Sequence, residues 1–279
     1  MSMSIVELLE SMYYTIIMWA NNVRKWKCER KMEVVILAGG KGTRMGEQTE
    51  KIPKPMIRVG SSPILIHIMD YYLSWGARKF VICCGYKLEY IRKYFGDISE
   101  SCERLDEYTV KTTYKNASVY LVDTGLETGT AGRIFRIRKY LSGNIFYLTY
   151  GDGVSDVNLA ELKKEHVLSN RMVTISAVHP KERFGIIQFD DCNKVISFQE
   201  KIKRSEVWIN GGFMLLDTTV FDYFNDSDTS FEYDTLPRLV DKELVGVYQH
   251  SGFWQCMDTE NERKDLEKIL EARDMSWMK

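Results

Sequence analysis

From Glu33 onward, short apolar runs alternate with stretches of helical periodicity, and this rhythm limits the possible folds more than any other feature of the chain. "EVVILA" at 33–38 reads as a buried strand. "SPILIHIMDYYLSW" at 62–75 reads as a helix, with Ser62 as its cap and Pro63 in its first turn. "KFVICC", "KLEYIRKYF" and "SVYLVDT" follow as strand, helix and strand. "GTAGRIFRIRKYL" then gives a helix, and "NIFYLTYGDG" a strand that stops in an acidic turn. Strands that are apolar along their whole length need cover on both faces. The pattern therefore predicts an α/β fold, a Rossmann-like, mostly parallel sheet flanked by helices.

After about Asn170 the spacing tightens. "RMVTISAVHP", "GIIQFD", "VISFQE" and "WINGGFMLLD" read as strands lying close together. Helical "DTLPRLVDKE", strand-like "LVGVYQH" and helical "ENERKDLEKILEARD" complete the chain. With five prolines, no repeat and no linker, residues 32–279 read as one domain carrying a small β-rich part.

Residues 1–31 stand apart. Ile5, Leu8, Leu9, Met12, Ile16, Ala20 and Val23 recur at helical spacing, but Glu7 and Glu10 interrupt a run too short to span a bilayer. Basic residues follow the apolar part, the reverse of a secretory signal. Three readings stay open: an oligomerisation or docking helix, a surface-attached helix, or an extension upstream of Met32. An amphipathic face wants cover, so a homo-oligomer is expected.

Lys+Arg 38 against Asp+Glu 39 leaves a net charge of -1, without the basic surplus of a nucleic-acid binder. The six cysteines form no C-x-x-C pair and the four histidines are scattered. A structural zinc site is not expected; reduced thiols and a cytoplasmic location are.

The first strand runs into "AGGKGTRMG", residues 38–46. Gly40 and Gly42 fit the start of a dinucleotide fingerprint, but Met45 stands where its third glycine belongs, and no P-loop frame exists. Glycines after a buried strand still let backbone N–H groups approach an anion, and Lys41 and Arg44 add charge. An ordinary glycine-rich turn is the alternative. "KIPKPM" at 51–56 follows, where two prolines are expected to hold Lys54 on extended backbone as a prepositioned charge.

Together these stretches resemble the opening of the sugar-phosphate nucleotidylyltransferases. "VDTG", "TAGRIFR", "YGDGVSD", "FGIIQFD", "SFQEK", "INGGFMLLD" and "GFWQCMDT" extend the resemblance from Met32 to the C-terminus. Their order looks most like the branch that uses CTP and glucose 1-phosphate. The resemblance implies a nucleotide-diphospho-sugar transferase fold whose β-rich part holds the sugar. It also implies attack by a sugar 1-phosphate oxygen on the α-phosphorus of CTP, with pyrophosphate expelled. The nucleophile is already anionic, so no histidine base or serine nucleophile is needed; alignment and charge neutralisation are.

The resemblance assigns the catalytic cations to Arg44, Lys54 and Lys201. Arg44 would face the β- and γ-phosphates, Lys54 the α-phosphate and Lys201 the sugar phosphate. Leu37, Ala38, Gly39, Gly40, Lys41, Gly42, Thr43, Thr128, Gly132, Arg133 and Gly151 would surround the nucleotide. Glu200, Asn210 and Gly211 would meet the sugar. Asp152 and Asp258 would hold Mg2+, which favours one or two carboxylates plus phosphates and water. Ile202 stands where the family pattern has proline. Cytosine offers acceptors at O2 and N3 where uracil offers an N3–H donor, so a guanidinium at Arg133 would favour CTP. Arg133 reads equally as a surface helix residue, like Arg136 and Arg138. Another phosphorylated acceptor is the first rival, and a non-catalytic regulatory module of this fold the second.

Overall fold

The computed structural model describes residues 32–99, 101–180, 186–189, 191, 194–199, 207–225 and 229–272. The expected helix within 1–31, with Glu200 and Lys201, lies outside the described residues.

Among the described residues, nine strands form the main sheet: β1 (Met32–Leu37), β2 (Ala77–Cys84), β3 (Cys102–Arg104), β4 (Thr109–Tyr114), β5 (Ala117–Asp123), β6 (Ile145–Tyr150), β7 (Val173–Val178), β8 (Ile209–Asp217) and β9 (Val245–His250). Their order is β9-β7-β8-β6-β1-β2-β5-β4-β3. Parallel pairing joins β6 to β1, β1 to β2, β2 to β5 and β7 to β9. Only β4 and β8 run against the rest, so the mostly parallel expectation holds for seven strands of nine.

The longer helices are α1 (Ile64–Ser74), α2 (Leu88–Ile98), α3 (Thr130–Arg136), α4 (Leu159–Ser169), α5 (Leu236–Asp241) and α6 (Glu260–Glu271). Residues of β1 alternate between two apolar cores. Val34 and Ile36 share one with Leu65, Ile68 and Tyr72 of α1 and Leu266 of α6. Val35 and Leu37 share the other with Ala131 and Ile134 of α3, Val220 and Leu239. Val34, Val35 and Ile36 are wholly buried, and each such side chain contributes roughly 1.5–3 kcal/mol. A central strand covered on both faces is the physical content of the uninterrupted run.

Three local expectations need correction. Ser62 does not cap α1: Ser62–Pro63 pairs with Arg58–Val59 in a small hairpin, and Pro63 occupies the N-cap place. Helix α3 ends at Arg136 and is followed by a 3-10 turn, Arg138–Tyr140, rather than continuing to Leu141. Lys54 opens a 3-10 turn, Lys54–Met56, so the extended backbone is that of Ile52 and Pro53 before it, not of Lys54 itself. The threonine-rich strand β4 and the short β3 were not expected. They form the sheet's edge and carry too few apolar residues to produce the run that betrays a central strand.

From β1 the chain passes through α1 to β2 on one side; β6 pairs with β1 on the other. Connections diverge at the carboxyl end of β1, where open α/β sheets form ligand crevices.

Candidate functional site

The glycine loop begins at that divergence. Ala38 N donates to Cys83 O at 3.0 Å, and Gly151 N donates to Leu37 O at 2.9 Å, so the ends of β1, β2 and β6 are tied together. Gly42 has φ 63, a left-handed conformation that glycine adopts freely. A Cβ there would lie 2.8 Å from Lys54 Cβ, so a side chain at 42 would push Lys54 away. Beyond it, the 3-10 turn Thr43–Met45 leaves Thr43 and Arg44 exposed. A cavity of about 360 Å³ lies against the loop. Leu37, Ala38, Gly39, Gly40, Gly42, Lys54, Thr128, Arg133, Gly151 and Asp152 line it, ten of the residues assigned by sequence. Lys41 reaches across to Glu127 at 2.8 Å, an exposed ion pair. Gly132 stands on α3 behind Thr128.

Two segments far apart in sequence bring the candidate metal carboxylates together. Gly153–Ser155 pairs antiparallel with Trp254–Cys256, and Met257 N donates to Asp152 O at 2.8 Å. Asp152 and Asp258 thereby leave the same end of one small ladder. The capping box at the start of α6 fixes the second: Glu262 accepts from the N–H groups of Asp258 and Thr259, and Thr259 Oγ1 from Glu262 N.

The Lys54 ammonium stands between the two acids, 2.5 Å from Asp152 Oδ2 and 2.5 Å from Asp258 Oδ1. Arg44 donates to the other oxygen of Asp258 at 2.7 Å. Burial alone would raise the Asp258 carboxyl pKa. Hydrogen bonds and charge from Lys54 and Arg44 outweigh it and hold the carboxyl below the usual range. Burial opposes the Lys54 charge too, yet Asp152 and Asp258 raise its pKa above the ordinary lysine value. Two carboxylates facing one another across a cation-sized gap, beside a cavity that could supply phosphate oxygens, form a donor set suited to Mg2+. Among the described residues no group of three or more His, Cys, Asp or Glu side chains could hold a metal.

Arg133 departs from the surface-helix alternative: it is 4% exposed. Its guanidinium lies between Gly39 and Gly85, where a Cβ at either position would stand 2.0 or 2.4 Å from Nη1. It donates to the carbonyls of Cys84, Gly39 and Leu126 and to Thr124 Oγ1, at 2.7–3.3 Å. These bonds pin the glycine loop to the β2 and β5 ends. They also occupy the donors that were expected to read a base. Arg136 is exposed but not idle, donating to Thr124 O and Thr128 Oγ1.

On the opposite wall Tyr150, which lines the cavity, donates to Glu232 Oε1 at 2.5 Å. Glu232 also accepts from Thr130 and Ser230 hydroxyls. Asn210 donates to the Tyr150 hydroxyl at 3.3 Å, and Gly211 O accepts from Trp254 Nε1 at 2.7 Å. The expected sugar-facing residues Asn210 and Gly211 thus adjoin the cavity through Tyr150 and the ladder that carries Asp258. Neither Tyr150 nor Glu232 was singled out from sequence. The only local signal was a tyrosine closing an apolar strand.

Residues 33–261 match the family model described as Nucleotidyl transferase. The chain belongs to the nucleotidyl transferase family. It is 38% identical over 254 residues to the glucose-1-phosphate cytidylyltransferases of Salmonella typhi and Salmonella typhimurium, covering 88% of this chain and 98% of each of theirs. The crystal structure of HddC from Yersinia pseudotuberculosis superposes with a TM-score of 0.63 at 23% identity, covering 86% of this chain and 99% of that one. That likeness shows a shared fold. Among the described residues no helix is long and apolar enough to cross a membrane.

Proposed function

We propose that this chain joins CTP to a sugar 1-phosphate, glucose 1-phosphate first among them, giving a CDP-sugar and pyrophosphate. The observation that carries the proposal is the convergence of Arg44, Lys54, Asp152 and Asp258 at the border of the glycine-loop cavity. The 38% identity to glucose-1-phosphate cytidylyltransferases supports the choice of substrates.

In this reading the glycine loop receives the triphosphate on backbone N–H groups. Arg44 meets the β- and γ-phosphates; Lys54 steadies the α-phosphate. Lys201 aligns the incoming sugar phosphate, with Glu200, Asn210 and Gly211 toward the sugar hydroxyls. An oxygen of the sugar phosphate forms the new bond to the α-phosphorus as the bond to the bridging oxygen of pyrophosphate breaks. Asp152 and Asp258 would hold Mg2+, which supplies charge neutralisation to the phosphates. Arg133 borders the base from the wall, and reading cytosine O2 and N3 requires it to trade one of its carbonyl partners.

Pyrophosphate release from the purified chain, with CTP, UTP or GTP against a panel of phosphorylated sugars and alcohols, tests the assignment. Turnover with CTP and glucose 1-phosphate is expected to exceed every other pair. Faster turnover with UTP would overturn the base assignment, a better non-sugar acceptor the sugar assignment, and no turnover with any pair would favour a regulatory module.

A further inference from the structure

We propose that the Lys54 ammonium is the resting counter-ion of the Asp152–Asp258 pair, and that a divalent ion enters only by exchange with it, together with the nucleotide. The inference rests on the reading of these two acids as the metal pair. Its starting point is the bridge itself: Nζ lies 2.5 Å from one oxygen of each carboxylate. A Mg2+ ion held by both acids would need oxygens at about 2.0–2.1 Å and would stand in nearly the same place. Two cations do not share one such gap, because their repulsion is strong where water is scarce.

Charge explains why a free ion is a poor competitor. Lys54 and Arg44 carry two positive charges against the two carboxylates, so these four groups sum to zero charge. Displacing a lysine that is only 8% exposed would leave a desolvated ammonium without its partners, which is strongly unfavourable. The exchange becomes favourable when the ammonium has another anion to reach. Lys54 lines the cavity, its stem is four flexible carbons, and Gly42 has no side chain to obstruct it. A triphosphate in the cavity supplies that anion. The lysine keeps all its protons; one positive charge moves from carboxylate to phosphate as two enter between the acids. Metal and nucleotide affinities are then coupled, each strengthening the other by the same factor.

Mn2+ is the probe, measured on the full chain by the electron paramagnetic resonance signal of the free ion. Without nucleotide, Lys54→Met should bind Mn2+ about tenfold tighter than the unaltered protein, or more, although its turnover is lost. Lys54→Arg, which keeps a cation, should stay as weak as the unaltered protein. Should Lys54→Met not fold, Lys54→Gln carries the same expectation. Water-proton relaxation of the Mn2+–CTP complex on Asp152→Asn separates the two levels. If Asp152→Asn abolishes its enhancement while neutral Lys54 variants gain no Mn2+ affinity, the exchange is wrong and the metal pair stands. If Asp152→Asn and Asp258→Asn leave the enhancement unchanged, the carboxylate assignment fails and the exchange with it.

Discussion

The two ends of β1 each carry a lysine paired with carboxylate, and they are built for different purposes. At the amino end, Glu33 is 3% exposed and accepts from Lys79 Nζ, Ser142 N, Ser142 Oγ and Gly143 N, at 2.5–3.0 Å. One acid there meets four donors, and it fastens β1 to β2 and to the turn before β6. At the carboxyl end one buried ammonium is shared by two acids, while Arg44, whose side chain is 72% exposed, completes the charge from solvent. The first cluster is met by four donors of its own chain, and none of its residues lines the glycine-loop cavity. The second is balanced by groups that can move, beside space for an anion. Under the proposed function, the ion pair that marks the site is the one whose partners are exchangeable.

Substitution at the carboxyl end should have the largest effect and leave the fold intact. Asp152→Asn or Asp258→Asn is expected to lower the rate of pyrophosphate release on the order of a thousandfold. Thermal unfolding should change little, since the remaining acid can keep Lys54. Loss of the folded state in either variant would erase the distinction between the two ends.

The amino end should behave in the opposite way. Glu33→Gln is expected to reduce stability by about 3 kcal/mol in urea unfolding at neutral pH, because it leaves the half-buried Lys79 without its acid, while the folded fraction keeps its turnover. Burial would raise the Glu33 pKa, but hydrogen bonds from Ser142, Lys79 and Gly143 together hold it below its ordinary 4.5. A depressed carboxyl pKa stabilises the fold fully above that value, and the contribution is lost as pH falls through the folded-state pKa. The deficit of Glu33→Gln should therefore shrink as pH drops below about 4.5. A deficit constant with pH would mean the charge is not what matters there.

Arg133 sharpens the comparison from a third position, a buried cation with carbonyl and hydroxyl partners. Arg133→Lys keeps the charge but loses the fork that reaches Gly39, Cys84, Leu126 and Thr124 at once. A rise of about tenfold in KM for CTP, with kcat nearly constant, is expected if it chiefly shapes the nucleotide wall. An equal fall in kcat and kcat/KM would instead place it at the transition state.

Much of this was legible in the sequence where physics acts locally. The run Val34–Ala38 announced a strand covered on both faces, and Gly39, Gly40 and Gly42 announced close backbone approach at its end. Asp152 stood out because an apolar strand stopped in "GDG". Asp258 in "WQCMDT" also stood just past an apolar stretch, but its place beside Asp152 depends on the ladder between Gly153–Ser155 and Trp254–Cys256, a pairing across about a hundred residues. Arg133 was ambiguous because helical spacing fixes a direction but not whether two glycines, Gly39 and Gly85, leave room for a guanidinium beneath the loop. Glu33 and Lys79 were hidden for the same reason. Each reads as a polar residue at a strand start until β1 and β2 are set side by side, where Glu33 pairs with Lys79 in register.

Anomalous diffraction from crystals grown with Mn2+ and a non-hydrolysable CTP analogue addresses the account most directly. A Mn2+ peak between Asp152 and Asp258, with Lys54 turned onto the α-phosphate and Glu33 still bound to Lys79, is the predicted result. A metal elsewhere, or Lys54 still bridging the two acids beneath a bound nucleotide, would contradict it.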